Sequence, residues 1–319
     1  MPSVPPAGGD ASHVPAGLQS SRSAMRLRRT MDWSVRAVFL GAAVVGSAVL
    51  LGILVYLAVY GLRTFKEISP LSFLFGAVWN PDAYGKPSFG LLPLLVGSLT
   101  TTALALAIAV PSGIASAVFL SERLKGRVRI AVKTAVELFA GFPSVVLGFF
   151  GLVVLAPLIA RVFHVNSGLG ILNAGLLLAL MAMPTIISVA DDALRVVPQS
   201  YREAAYALGA TPWTTAIRVV LPAAKSGILA GTMLGFGRAV GETMAVLMVA
   251  GNASWIPKSL LDPARTITTT IAIELGETPF HTTHFYSLFA LGLVLFFITL
   301  GTNLLAESMI KREKRSFML

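Results

Sequence analysis

The 319-residue sequence contains no cysteine. That excludes disulfides, thiolate nucleophiles and cysteine-ligated metals, and it says nothing about redox compartment. Charge is scarce as well. Only 13% of the residues are Asp, Glu, Lys or Arg, where a soluble domain carries about 25%. Acids are the scarcer sign, 15 against 25 Lys and Arg, for a net charge of +10. His281 and His284 have the spacing of a metal pair on a helix, but no third ligand is close, so no metal site is expected and a solvated loop is. Gly85-Lys86 lacks the upstream glycine of a phosphate-binding loop, so ATP hydrolysis by that motif is excluded. No nucleophile–base set can be placed, and the chain does not read as an enzyme by itself. Residues 1–30, rich in Pro, Gly, Ala and Ser, lack the apolar core of a signal peptide. They read as a disordered cytoplasmic tail.

What is present is apolar: 55% of the residues are hydrophobic. A membrane span needs about 20 mostly apolar residues. Six segments qualify, near 37–62, 94–120, 135–160, 169–190, 227–251 and 285–306. The expected fold is thus an all-α polytopic membrane protein, with a tail over 1–30 and a transmembrane domain over 31–319. Eighteen of the 25 Lys and Arg fall in the two tails and in the second and fourth loops; six fall in the other loops. The positive-inside bias places both termini in the cytoplasm. Every basic cluster abuts a span, which argues for membrane lipid and against nucleic acid as its partner. Two outside loops are long, and "TITTTIAIELGE" in the second predicts a short helix. No internal repeat is evident, which weakens an inverted-repeat carrier.

The fourth loop has structure of its own. Ser200 and Glu203 have capping-box spacing, Gly209 suits a left-handed helix end, and Thr211-Pro212 suits the start of a second helix. Residues 198–222 are therefore expected as two short helices meeting at a glycine. They fit either a membrane-surface hairpin or a segment that docks in a partner's groove. Asp191 and Asp192, just before, read as a solvated helix end.

The fifth span holds charge. On a continuous helix at about 100° per residue, Gly227, Gly231, Gly235, Arg238 and Glu242 fall near 0°, 40°, 80°, 20° and 60°, a single stripe. The glycines predict a close helix seam, and Arg238 then lies about 17 Å from Gly227 along the axis. The third span repeats the design with Glu137, Gly141, Ser144, Gly148 and Gly151, and Pro143 predicts a kink there. Intramembrane charge is costly and is expected to face protein or water. Two readings stand: a buried ion pair that locks packing, or an anion path in which a guanidinium forks onto an oxyanion. Glu242 can pair with Arg238 within or between helices, or accept a proton or hydrogen bond from the anion. Glu137 can instead pair with Lys133.

"EAAYALGATPWTTAIRVVLP" resembles the EAA loop of ABC importer permeases: Glu203-Ala204-Ala205, Gly209, then Val219-Val220-Leu221-Pro222, with Val219 in place of the usual Ile. "AVELFAGFPSVVLGFFGL" and "GTMLGFGRAVGETMAVLMVAGN" resemble phosphate-specific importers, in particular their PstC-type permeases. The resemblance runs from about residue 37 to the end. It implies the MetI-like fold of type I ABC importers and a place in a bacterial cell membrane. It also implies a PstA-type second permease, two PstB-type ATPases carrying ATP and Mg, and an extracytoplasmic PstS-type phosphate-binding protein; this chain would hold no cofactor. Glu203, Ala204, Ala205 and Gly209 would contact the ATPase, and Arg238 and Glu242 would matter for transport. A proton-coupled secondary anion carrier, or an ABC permease for another oxyanion, remains the alternative.

Overall fold

The computed structural model describes residues 16–83 and 85–316. Residues 1–15, half of the expected disordered tail, lie outside the described residues. The chain divides into two units, 1–56 and 57–319. The first is one helix, the larger part of α1 (Ala16–Gly61). It thus starts fifteen residues before the end of the expected tail, where Leu, Met, Arg and Gln are all good helix formers.

The second unit begins with the last turn of α1 and a 3-10 turn, Leu62–Lys66. There follow α2 (Pro70–Phe75) and a hairpin of β1 (Trp79–Asn80) with β2 (Ser88–Phe89), in which Trp79 faces Phe89. The long α3 (Leu92–Glu122) comes next. The expected third span is resolved into pieces: α4 (Gly126–Ala140), α5 (Ser144–Phe150), a π turn at Gly151–Leu155 and α6 (Ala156–Phe163). Pro143 does not kink a helix here; it stands at the N-cap of α5, where its missing N–H costs nothing. The apolar stretch long enough to span is therefore Ser144–Phe163 rather than 135–160.

The most buried helix is α7 (Ile171–Val196). The fourth loop supplies α8 (Gln199–Ala207) and α9 (Pro212–Thr215), then a π turn at Ala216–Val220 and α10 (Leu221–Ala223). The path bends by 73° into α11 (Lys225–Gly241). Then come α12 (Met244–Val249), α13 (Ile267–Glu274) and α14 (Thr283–Ser316). Among the described residues five helices are long and apolar enough to cross a membrane, and six if the bent pair counts as one. The fifth span thus begins earlier than expected and breaks before it is complete. The "TITTT" helix does form: Thr266 and Thr269 cap it reciprocally.

Small residues let the central helices meet. A Cβ on Gly175 of α7 would come 2.6 Å from Leu104 of α3, and one on Gly113 of α3 would come 2.9 Å from Ile186 of α7. Around this contact lies a core of Ala105, Ala109, Leu177, Leu178, Met181 and Ala182, closed by Ala245 and Val249 of α12.

Candidate translocation path and coupling loop

Gly227, Gly231 and Gly235 bring α11 onto α7. Added Cβ atoms would lie 2.4 Å from Ala193 Cβ, 3.1 Å from Val189 Cβ and 2.7 Å from Ile186 Cγ1. The seam is too close for any larger residue, as the four-residue spacing requires.

Arg238 lies past the last of these glycines and is half-buried. Its Nη2 donates to the Ala140 carbonyl at 3.0 Å. Ala140 ends α4, so the guanidinium sits where that helix's unpaired carbonyls concentrate partial negative charge. Among the described residues, no carboxylate lies within ion-pair distance of it. The expected stripe ends here. Glu242 is extended (φ −70°, ψ 129°) and terminates α11, so a continuous helical wheel does not place it. Its Oε1 accepts from the Ala245 N–H at 3.2 Å, capping α12, and its carbonyl accepts from the Thr268 hydroxyl at 3.1 Å. A broken backbone within a span needs such partners.

The second stripe is divided as well. Gly148 packs on α12, 3.0 Å from Ala245 Cα measured from an added Cβ. Gly141 does not join a seam in this chain: it is the C-cap of α4, and an added Cβ would approach only Leu138 O of its own turn. Ser144 is the first residue of α5. Glu137 is exposed and stands 4.0 Å from Lys133, the pairing that its spacing allowed.

Asp191 is where the expectation fails. Its side chain is 0% exposed, not solvated, and its Oδ2 takes Arg129 at 2.6 Å and Lys133 at 3.1 Å. Lys133 also bonds Asp192, whose side chain is 67% exposed. Burial pulls the Lys133 ammonium down, but the hydrogen bonds and charges of Asp192 and Asp191 outweigh it, and the pKa is raised. Sequence gave one signal for this: two basic residues four apart on α4 present one face.

The fourth loop takes the expected shape by partly different means. The Ser200–Glu203 capping box does not form. Pro198 is the N-cap and Ser200 lies inside α8, where its hydroxyl is out of register for the cap. Gly209 does adopt φ +80°. Ala210 N donates to Ala205 O and Gly209 N to Tyr206 O, the paired bonds of a Schellman end. Thr211 caps α9 through the Thr214 N–H, with Pro212 next. Glu203 and Ala204 are exposed, while Ala205 is buried. Arg202, which sequence reasoning passed over, clamps the loop. It donates to Val197 O and Leu194 O at the end of α7, and to Glu122 at 2.8 Å at the end of α3.

Glycines pack α11 on α7, Arg238 lies on α11, part of a bent candidate span, and a capped helical loop joins α7 to it. A family profile described as binding-protein-dependent transport system inner membrane component matches residues 109–315. This chain belongs to that family. It is 38% identical over 281 residues to the probable ABC transporter permease protein YqgH of Bacillus subtilis, covering 88% of this chain and 91% of that protein. It is 42% identical to the phosphate transport system permease protein PstC of Mesorhizobium japonicum, over 76% of this chain and 78% of that one. Its fold matches the crystal structure of a bacterial ABC transporter that imports the acidic polysaccharide alginate, with a TM-score of 0.59 over 90% of this chain and 99% of the other, at 18% identity.

In this inner membrane component the two loop histidines differ: His281 is exposed, as expected of a solvated loop. His284 is not solvated: its Nε2 lies 2.8 Å from Glu274. Glu274 also accepts from Trp79 Nε1 at 3.1 Å and from Arg265 at 2.7 Å. Three groups, from the hairpin, α14 and the strap before α13, thus meet on the one carboxylate of Glu274 in α13. Among the described residues no cluster suits a metal ion.

Proposed function

We propose that this chain is the PstC-type permease subunit of an ATP-driven importer of inorganic phosphate. It lines the path with a second permease, receives phosphate from an extracytoplasmic binding protein, and is driven by two ATPase subunits in the bacterial cell membrane, with both termini cytoplasmic. Family membership and the named phosphate permeases among its relatives support the class. The absence of a phosphate-binding loop in the sequence assigns ATP hydrolysis to a partner.

Arg238 carries the reading. It is a guanidinium within a span, held by a single carbonyl, with no carboxylate to neutralise it among the described residues. Such a group keeps most of its donors for an oxyanion. Glu242, four residues further along the chain, acts through the backbone break that it caps. Alternating access follows from movement of the loop 198–222 under the ATPase. Glu203, Ala204 and Gly209 form its exposed contact, and Ala205 packs it from beneath.

The complex reconstituted in proteoliposomes tests this. Arg238→Gln should assemble normally and lose about tenfold to a hundredfold in ATP-driven phosphate uptake, the worth of a charge-assisted hydrogen bond or two. Normal uptake in that variant removes Arg238 from the path. Phosphate uptake by the permease without any ATPase instead makes it a secondary carrier, and equal competition by sulfate makes phosphate the wrong oxyanion.

A further inference from the structure

The third-span region has an arm that no resemblance explains. None of the fifteen residues of α4 is buried. Val136 and Phe139 pack partly on the core, which is slight apolar anchorage for a helix of this length, and two polar attachments add to it. In its first half, Arg129 and Lys133 converge on Asp191 of α7. At its last residue, the Ala140 carbonyl accepts from Arg238 of α11. Lys133 and Ala140 are about 10 Å apart along the helix axis. Beyond Ala140 the chain passes through Gly141 and Pro143 before α5 starts, and an added Cβ on Gly141 would meet only Leu138 O of its own turn, at 3.3 Å.

Asp191 also lies one turn from the coupling loop's anchor. Leu194 O, which Arg202 of α8 holds, belongs to the residue three places further along α7. The order of contacts is α8, α7, Asp191, α4, Arg238. Asp191 Oδ1 is buried and unpartnered, so the carboxylate is fixed by its two cations alone.

We propose that α4 is a lever that sets how Arg238 is presented to the anion, and that Asp191 is the positioning residue that anchors the lever to α7. This rests on the phosphate-path reading of Arg238. Movement of the loop shifts the end of α7, the ion pairs carry the shift into α4, and the Ala140 carbonyl releases or retains the guanidinium. Coupling thereby reaches the intramembrane charge without passing through the glycine seam, which has no slack.

Two measurements on the assembled complex test it. Because the chain has no cysteine, spin labels at Val132→Cys and Val196→Cys, both exposed positions, report the α4–α7 separation with no background from this chain. Asp191→Asn should broaden that distance, and Asp191→Glu should restore it. Phosphate moved per ATP should fall by about tenfold in Asp191→Asn, with the KM for loaded binding protein unchanged. Arg129→Gln should do the same more weakly, and it leaves α7 intact if Asp191→Asn does not assemble. An unchanged label distance overturns the anchor, and an unchanged transport ratio with a broadened distance overturns the lever. If the wild-type complex moves no phosphate, the transport reading fails instead, while the label distance, which needs no substrate, still decides the anchor.

Discussion

α7 has two neighbours that hold it by opposite means. On α11 the contact is dry and made of glycine against Ala193, Val189 and Ile186, at separations that leave no room for a methyl group. On α4 the contact is led by Arg129, Lys133, Asp191 and Asp192, with Val136 packed beside them on the core. Close packing has one minimum and stiff walls. An ion-pair contact is longer in reach, tolerates rotation of its side chains and responds to what else the charges meet. The first is suited to keep two helices together throughout a cycle. The second is suited to let them move. The same division recurs at the coupling loop, where Ala205 is buried beneath α8 but Arg202 spans α3 and α7 through charge and carbonyls.

The largest effect is expected from the clamp. Arg202→Met leaves Glu122 and two carbonyls at the end of α7 without a donor. Removing one partner of a buried pair costs about 3–5 kcal/mol, and here the cost falls on the attachment of α8. Hydrogen exchange across 199–209 should lose protection by at least about a hundredfold, while α7 above Ile187 stays protected. Unchanged protection would show that apolar contact at Ala205 suffices, and the contrast between charge and packing would weaken.

The seam ranks next and has an internal control. Gly227→Ala puts a methyl 2.4 Å from Ala193 Cβ, a short side chain that cannot swing aside. Overpacking of this kind costs about 1–3 kcal/mol. Gly237→Ala, in the same helix with nothing within 4 Å, should be neutral or stabilising by up to about 1 kcal/mol from helix propensity. The two variants differ only in position, so their melting temperatures in detergent should separate cleanly. Equal melting would mean that α11 can slide on α7.

Much of this was legible from the residues, and the failures have one cause. Five of the six apolar runs coincide with spanning helices in their central parts, because twenty apolar residues satisfy the bilayer whatever their partners are. The glycine seam was legible because small residues at four-residue spacing mean one face. The left-handed Gly209 and the Thr211-Pro212 start were legible because their chemistry is local. The misplaced elements are those in which a long-range bond overrides a local rule. Ser200 loses its capping box because α8 starts at Gln199 with Pro198 as its N-cap, while Arg202 of that first turn bonds back to the end of α7. Asp191 looked like a helix end in water because its cations lie some sixty residues earlier. The wheel through Glu242 assumed an unbroken helix, and the Thr268 hydroxyl that satisfies the freed carbonyl comes from α13.

The smallest effect is expected at Lys133, and it separates the two cations of the α4 contact. Its folded pKa is raised by Asp192 and Asp191 in spite of burial. A raised pKa in a base means that its stabilising share is complete below the unfolded value, about 10.4, and is lost as pH climbs through the folded value. Lys133→Gln should therefore cost at most about 1 kcal/mol, the usual worth of a partly exposed pair. The difference from wild type should stay flat from pH 6 to 9 and shrink only above about pH 10. A guanidinium, unlike an ammonium, does not lose its proton in water over that range, so Arg129→Gln should show no such convergence. If both variants converge on wild type at high pH, the contact is one coupled site. If neither does, Arg129 alone fastens α4, and Lys133 serves Asp192 at the surface.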